Sequence, residues 1–135
     1  MSEVSDLLYA LTGKAMELHD KLGCDHQEQV YHHMLFSRLK KLGYQVQFKP
    51  SLVIRDDDQN LVVNYQPDLR VIAGDIQVLI EIKSDPKGIP EADKRQARSY
   101  LKTSPRDAAV LLLNFGTERL GQYRKYQESL STESE

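Results

Sequence analysis

Apolar residues recur at helical spacing through the first forty residues, and this spacing predicts two amphipathic helices. The first helix is expected over residues 4–22, with Gly23 as a C-terminal cap. The second helix is expected to begin near Asp25 and to end before Gly43, which repeats the stop signal. The apolar positions are Val4, Leu7, Leu8, Leu11, Ala15, Leu18 and Leu22 in the first helix and Val30, Tyr31, Met34, Leu35, Leu39 and Leu42 in the second.

The middle of the chain changes to an alternation of apolar and polar residues with period two, which predicts a meander of β-strands. A run of aspartate and asparagine at residues 56–60 is typical of a hairpin loop between two of these strands. Gly74-Asp75 predicts a tight turn between the last two. The strands are expected at residues 44–48, 52–54, 61–63, 68–73 and 76–83.

The remaining sequence predicts a helix over residues 91–103, a buried strand over 108–115 and a final helix over 117–127. The order of helix, helix, strand meander, helix, strand, helix indicates an α+β fold, with helices packed on a central mixed sheet. We expect one domain over residues 1–128 and a disordered acidic tail over residues 129–135.

Composition narrows the class of protein. The chain has 135 residues, of which 40% are apolar and 28% charged, as expected of a soluble domain with its own core. The longest apolar run, residues 108–113, is too short to span a bilayer, and no signal-peptide pattern opens the chain. A cytoplasmic protein is therefore expected, in agreement with the single cysteine, Cys24. The net charge of −2 argues against a general nucleic-acid coat protein unless charge is segregated on one face.

The strand pair joined at residues 74–75 brings two carboxylates together. If the Gly-Asp dipeptide forms a type II′ turn, the residues on either side of it pair, and Asp68 falls directly opposite Glu81. Opposed residues share a face of the sheet, with Cβ atoms roughly 4.5–5.5 Å apart. Lys83 lies two residues beyond Glu81 and so points the same way.

The other face of this hairpin is wholly apolar and is expected to lie in the core. Opposed like charges are destabilising unless something compensates them, and a divalent cation would do so. The alternative is a solvated strand face on which Lys83 offsets Asp68 and Glu81. A register shift of one residue would place the two acids on opposite faces and abolish the site.

These residues resemble a known motif. Pro67-Asp68, followed after twelve residues by Glu81-Ile82-Lys83, resembles the PD-(D/E)xK signature of metal-dependent nucleases. On the next predicted helix, Gln96 and Tyr100 resemble the Gln-x-x-x-Tyr element of RecB-like members of that superfamily. Residues four apart on a helix face the same way.

The N-terminal region is similar to the small bacterial GxxExxY family, a branch of the same superfamily. The similarity rests on residues 15–23, on Glu28-Gln-Val-Tyr31 and on the ending at residues 111–116, and it spans residues 7–126. The leading glycine of that family is Asp25 here. Asp25 followed three residues later by Glu28 is typical of a capping box, whereas the resemblance implies that Glu28 reaches the metal site.

The resemblance implies a restriction-endonuclease-like fold and a metal-dependent nuclease that hydrolyses phosphodiester bonds, with DNA as the expected substrate. It implies that Asp68 and Glu81 bind Mg²⁺ or Mn²⁺ and that the carbonyl of Ile82 is a further ligand. Lys83 would orient the attacking water, and Gln96 would help to position that water or the lysine. The chemistry is suitable, because such a cation lowers the pKa of bound water and stabilises charge on phosphoryl oxygens.

Two other interpretations stay open. One is a non-catalytic nucleic-acid or protein-interaction module that keeps the nuclease fold, which the acidic composition and Asp25 favour. The other is an assembly subunit that forms a homodimer through the apolar N-terminal helices. Fold alone does not decide among them, since one fold hosts many functions.

Two weaker patterns accompany these motifs. Lys94, Arg98 and Lys102 recur at every fourth residue of one predicted helix, which indicates either a phosphate-binding surface or a solvated face. His32 and His33 lie near other histidines and Cys24, but the spacings match no standard zinc site.

Overall fold

A computed structural model describes residues 2–128 of the chain. The described part contains three helices and seven strands, and none of these helices is long and apolar enough to cross a membrane. The elements are α1 (Glu3–Leu22), α2 (Glu28–Lys41), β1 (Gln45–Phe48), β2 (Leu52–Arg55), β3 (Leu61–Tyr65), β4 (Leu69–Ala73), β5 (Ile76–Lys83), α3 (Glu91–Thr103), β6 (Ala109–Asn114) and β7 (Gly121–Tyr126). The predicted acidic tail, residues 129–135, lies outside the described residues.

Five strands form a mixed sheet in the order β1-β4-β5-β6-β7. Strands β5 and β6 are parallel and all other neighbours are antiparallel. Parallel strands need a long crossover connection, and α3 supplies it. Helices α1 and α2 pack on one face of the sheet and α3 packs on the other. This arrangement confirms the predicted α+β fold with a central mixed sheet flanked by helices.

The predicted meander is divided between two sheets. Strands β2 and β3 form a separate hairpin, and β1 pairs with β4 instead of β2. The chain leaves the main sheet at Lys49, which adopts a φ of 50° and is followed by Pro50. The hairpin returns to the domain through Leu52 and Tyr65, which pack against α3.

The prediction of a final helix over residues 117–127 is wrong, because this segment contains β7. All six residues of β6 are buried, and pairing with β7 covers an edge that would otherwise be exposed. The hydroxyl of Thr117 donates to the carbonyl of Arg119, which turns the chain back toward β6. Residues 121–126 form a strand because they pair with β6, and this long-range pairing outweighs the local helical pattern of residues 117–127.

The capping-box interpretation of Asp25 is also wrong. The N-cap of α2 is Gln27, and its side chain makes no capping hydrogen bond. The carboxylate of Asp25 instead lies 3.8 Å from the thiol of Cys24. Glu28 is therefore the first residue of α2, and its carboxylate is available to the site described below.

Two residues at and just after the end of β6, Asn114 and Gly116, hold the chain that follows β5. The buried amide of Asn114 accepts from the N–H of Asp85 at 2.8 Å and donates to its carbonyl at 2.9 Å. Gly116 approaches so closely that a Cβ there would overlap the backbone of Ser84 and Asp85. This junction fixes the chain directly after Lys83.

Replacing Gly116 by alanine is expected to destabilise the protein by roughly 1–3 kcal/mol, because the backbone of residues 84–85 must move. Urea unfolding measures the effect. Gly13→Ala on α1 is the matched control: nothing lies within 4 Å of its added Cβ, and a helical alanine is favoured over glycine by about 1 kcal/mol. Equal stabilities for the two variants would contradict the close approach at Gly116.

Candidate active site

The β4–β5 hairpin has the predicted register, with Ala73 paired to Ile76 across the turn. Asp68 lies one residue before β4, and its N–H donates to Glu81 Oε1 at 3.0 Å. The carboxylate of Asp68 accepts from the N–H of Ile82 at 2.7 Å through Oδ2. The two carboxylates are therefore held close together, that of Glu81 by the backbone of Asp68 and that of Asp68 by the backbone of Ile82.

Lys83 completes this cluster at the end of β5. Its Nζ lies 3.7 Å from Glu81 Oε2, and its side chain is 25% exposed. The carbonyl of Lys83 accepts from the N–H of Phe115 at 2.8 Å. The ammonium group is thus fixed next to the carboxylates and still accessible from outside.

The apolar face of the hairpin lies in the main core, as predicted. The opposite face is not a solvated strand face, because α3 covers it and Glu81 is only 6% exposed. The hydroxyl of Tyr100 donates to Glu81 Oε2 at 3.3 Å, and the ring of Tyr65 packs edge-on against Tyr100. Glu81 is therefore a buried carboxylate with fixed partners.

Burial raises the pKa of Glu81 to about 8. The negative charge of Asp68 adds to this rise, whereas Lys83 opposes it. Two neighbouring carboxylates, one of them buried, favour protonation of one of the pair unless a cation is bound. The electrostatics of the pair therefore suit a positively charged ligand.

The structure brings Glu28 to this cluster from α2. Burial raises the pKa of Glu28, and the charges of Lys83 and Asp68 act on it in opposite directions. The preceding loop is fastened to the site, because the hydroxyl of Ser84 donates to the carbonyl of His26 at 2.9 Å. Glu28 thus lies near enough to Lys83 and Asp68 to feel both charges, at the start of a helix whose preceding loop is bonded to Ser84.

Tyr31 shapes the loop that leads into α2. Its hydroxyl donates to the carbonyl of Gly23 at 2.5 Å and accepts from the N–H of His26. Its ring stacks on Phe115 with a centroid distance of 4.5 Å. The residues that resemble the GxxExxY family therefore pack around one another, with Glu28 directed to the site and Tyr31 to the core.

Gln96 and Tyr100 differ in their surroundings. Gln96 is exposed, and its side chain makes no hydrogen bond within residues 2–128. Tyr100, one turn later, is 3% exposed and reaches Glu81. Tyr100 is thus both a core residue and a hydrogen-bond donor to the site.

Sequence reasoning missed His32 as a neighbour of the site. Its Nε2 lies 3.0 Å from the backbone oxygen of Asp68, and its Nδ1 lies 3.7 Å from Asp68 Oδ1. The ring stacks on Phe48 at 4.3 Å, and burial lowers the pKa of His32 and favours the neutral ring. The available signal was its spacing of four residues from Glu28, which places both side chains on one face of α2.

The donors present fit a hard divalent cation. Mg²⁺ prefers one or two carboxylates together with water and substrate oxygens. In the part of the chain that the structure describes, no three His, Cys, Asp or Glu side chains are arranged to hold a metal ion. A cation here would therefore depend on Asp68, Glu81 and oxygen atoms from backbone, water or substrate.

Comparison with known proteins gives one family and one fold. A family model of the PD-(D/E)XK nuclease superfamily matches residues 5–126, and no curated protein matches the chain. Three chains of solved structures match. One of these, the crystal structure of SSO0001, is 20% identical with a TM-score of 0.57, over 74% of this chain and 50% of that chain. The chain thus spans about half the length of that structure, and the likeness shows the fold alone.

The family match extends over most of the sequence and contains every residue of the cluster around Asp68, Glu81 and Lys83. The motif residues Asp68, Glu81 and Lys83 therefore lie on a strand pair whose register brings them together. The chain belongs to the PD-(D/E)XK nuclease superfamily.

Proposed function

We propose that this protein is a metal-dependent nuclease that hydrolyses phosphodiester bonds in DNA. The observation that carries the proposal is the buried carboxylate of Glu81, which accepts from the N–H of the partly buried Asp68 at 3.0 Å and lies 3.7 Å from the Nζ of Lys83. Membership of a nuclease superfamily supports the same activity.

Asp68 and Glu81 would hold Mg²⁺ or Mn²⁺, with the carbonyl of Ile82 as the further protein ligand. When bound, the cation supplies positive charge that stabilises the phosphoryl oxygens and lowers the pKa of water. Tyr100 fixes the carboxylate of Glu81, and His32 fixes the backbone of Asp68. A site held in this way needs little rearrangement when substrate binds.

Lys83 orients the attacking water through its ammonium group. A lysine is suited to this task because it is a compact cation with three donors. Glu28 attracts Lys83 and so holds its ammonium group near the reacting phosphate. Gln96, exposed on the first half of α3, helps to position the water or the lysine when substrate is present.

We further assign the chain to the GxxExxY branch of the superfamily. The support is the pair Glu28 and Tyr31, which lie three residues apart and face the site and the core respectively. Asp25 replaces the leading glycine of the branch and lies in the loop before α2.

A homodimer through the N-terminal helices and a cytoplasmic location stay predictions. The apolar stripe of α1 lies in the core of its own chain, including Leu8, Leu11 and Leu18. Tyr9 and Met16 are exposed on the same helix and are the apolar side chains that α1 presents to a partner. Sedimentation of the purified chain tests the dimer.

Purified protein is expected to cleave DNA in Mg²⁺ or Mn²⁺, because the paired carboxylates require a cation to stabilise the transition state. Chelation by EDTA is expected to stop cleavage and added Mg²⁺ to restore it. The assay uses labelled single-stranded and duplex DNA, with RNA as a second substrate. Cleavage that persists in EDTA would contradict the metal requirement. No cleavage of any substrate would favour the non-catalytic module.

A further inference from the structure

A groove lies between α3 and β7, beside the helix that covers Glu81. It encloses about 270 Å³ and is hereafter the α3–β7 groove. Cationic and aromatic side chains dominate its polar lining. The lining residues are Arg98, Leu101, Lys102, Lys125, Tyr126, Gln127 and Glu128.

Tyr123 of β7 organises the cations of α3. Its hydroxyl accepts from Arg98 Nη1 at 3.1 Å, and its ring centroid lies 5.5 Å from the Nζ of Lys94. Lys102 continues the same stripe one turn beyond Arg98, and Lys125 faces it from β7. The stripe seen in the sequence is therefore not simply a solvated face, because Arg98 and Lys102 line the groove and Lys94 lies at its margin over Tyr123.

The groove and its margin carry a net positive charge in an acidic chain. The four cations, Lys94, Arg98, Lys102 and Lys125, are opposed by Glu91 on Arg98 at 2.8 Å and Glu128 on Lys125 at 3.3 Å. Lys102 has no ion-pair partner among residues 2–128. Exposed ion pairs contribute little free energy, so an incoming phosphate can replace these carboxylates.

Tyr123, at the margin of the groove, is in register with the active site, and the lining residues Lys125 and Tyr126 lie two and three residues further along β7. Glu81 pairs with Leu112, and Leu112 pairs with Tyr123, so the three lie in one row across the sheet. Two inter-strand spacings place Tyr123 about 10 Å from Glu81 along this row. The same helix contacts both ends of the row, through Tyr100 at Glu81 and Arg98 at Tyr123.

The ligand that fits these features is a polyanion with regular spacing. Phosphates of a nucleic-acid strand recur about every 3.4 Å along the helix axis, so one strand can occupy the site and the groove together. Tyr126, which is 39% exposed, adds an aromatic surface of the kind on which bases stack.

We propose that the α3–β7 groove binds the phosphate backbone of the nucleic-acid strand that the active site cleaves, a few nucleotides from the scissile bond. The proposal rests on the proposed nuclease function for the identity of the polyanion. In this arrangement α3 contacts the substrate on one side and Glu81 on the other.

The test measures binding separately from cleavage. Anisotropy of labelled single-stranded and duplex DNA is recorded in EDTA over a range of salt concentrations for the full chain. The double variant Lys102→Ala/Lys125→Ala is expected to weaken binding and to lower the slope of log K against log salt by about 0.7–0.9 for each cation removed. The control Lys40→Ala/Lys41→Ala removes the same charge from the end of α2 and is expected to keep the slope.

An unchanged slope in the groove variant, an equal loss in the control, or no DNA binding by wild type would overturn the proposal. Thermal melting checks the fold, and Lys102→Gln alone provides the test if the double variant does not fold. If wild type cleaves DNA but the slope of the groove variant is unchanged, binding in the groove is refuted and the nuclease function is retained. A lower slope in the groove variant, together with no cleavage by wild type in Mg²⁺, supports binding in the groove and refutes the nuclease function.

Discussion

Replacing Lys83 by alanine is expected to lower the rate of phosphodiester hydrolysis by about 10²–10³-fold, the usual cost of removing one positioned donor from an active site. The ammonium group lies 3.7 Å from Glu81 and is partly exposed, so it can contact both the carboxylates and an incoming phosphate. The backbone of Lys83 is held by Phe115, and this contact does not involve the side chain. The fold is therefore expected to survive the substitution.

Single-turnover cleavage in Mg²⁺ measures the effect, and calorimetric titration with Mg²⁺ shows whether the metal still binds. Lys83→Arg is expected to recover little activity, because a planar guanidinium does not replace a compact ammonium group. Lys41→Ala, at the exposed end of α2, is the control and is expected to cleave at the wild-type rate. Undiminished cleavage by Lys83→Ala would refute the proposed role.

Glu81→Gln is expected to stabilise the protein at pH 8 in EDTA while abolishing stabilisation by Mg²⁺ and cleavage. The wild-type carboxylate is 6% exposed beside Asp68, and both features disfavour its charge. The amide keeps an oxygen that accepts from the N–H of Asp68, and it removes the charge. It also removes a proposed metal ligand, so stability and function are expected to change in opposite directions.

The pH dependence has a definite sign. The pKa of Glu81 rises from an ordinary 4.5 to about 8 on folding, so the unfolded chain loses this proton first. The contribution of the protonated carboxyl to stability is complete below about pH 4.5 and is lost as the pH rises through about 8. The advantage of glutamine is thus absent at low pH and reaches roughly 4 kcal/mol at pH 8.

Thermal melting from pH 4 to pH 9, with EDTA or Mg²⁺, tests this prediction, and roughly 1 kcal/mol corresponds to a few degrees in Tm. Glu91→Gln is the matched control. Glu91 is exposed and its pKa is lowered by Arg98, so its amide variant gives no stabilisation at pH 8. A Glu81→Gln protein that melts below wild type at pH 8 in EDTA would contradict the burial cost assigned to Glu81.

The core of the site was predictable because it depends on local geometry. A Gly-Asp turn at residues 74–75 sets the pairing of β4 with β5, and the pairing carries Asp68 to Glu81 without information from the rest of the chain. Helix α1 was equally accessible, since it has a long apolar stripe and local start and stop signals. The motif at Asp68, Glu81 and Lys83 could therefore be placed in space from its spacing.

The surroundings of the site were not predictable in this way. His32 contacts Asp68, which lies 36 residues away in the chain, and Tyr100 on the crossover helix α3 contacts Glu81. The loop before α2 is closed by Ser84, which lies 58 residues from His26. No short-range pattern records such contacts, because they arise only when separate elements pack.

The sequence by itself determined the β4–β5 register, the pairing of Asp68 with Glu81, and the helical stripe of cations on α3, because turn chemistry and periodicity act over a few residues. Only the tertiary structure decided that residues 121–126 form a strand, since a buried edge on β6 outweighs a weak local preference. That strand places Tyr123 and Lys125 next to the cations of α3, and the groove forms between the strand and the helix. Long-range pairing thus determined the surface that surrounds a locally specified site.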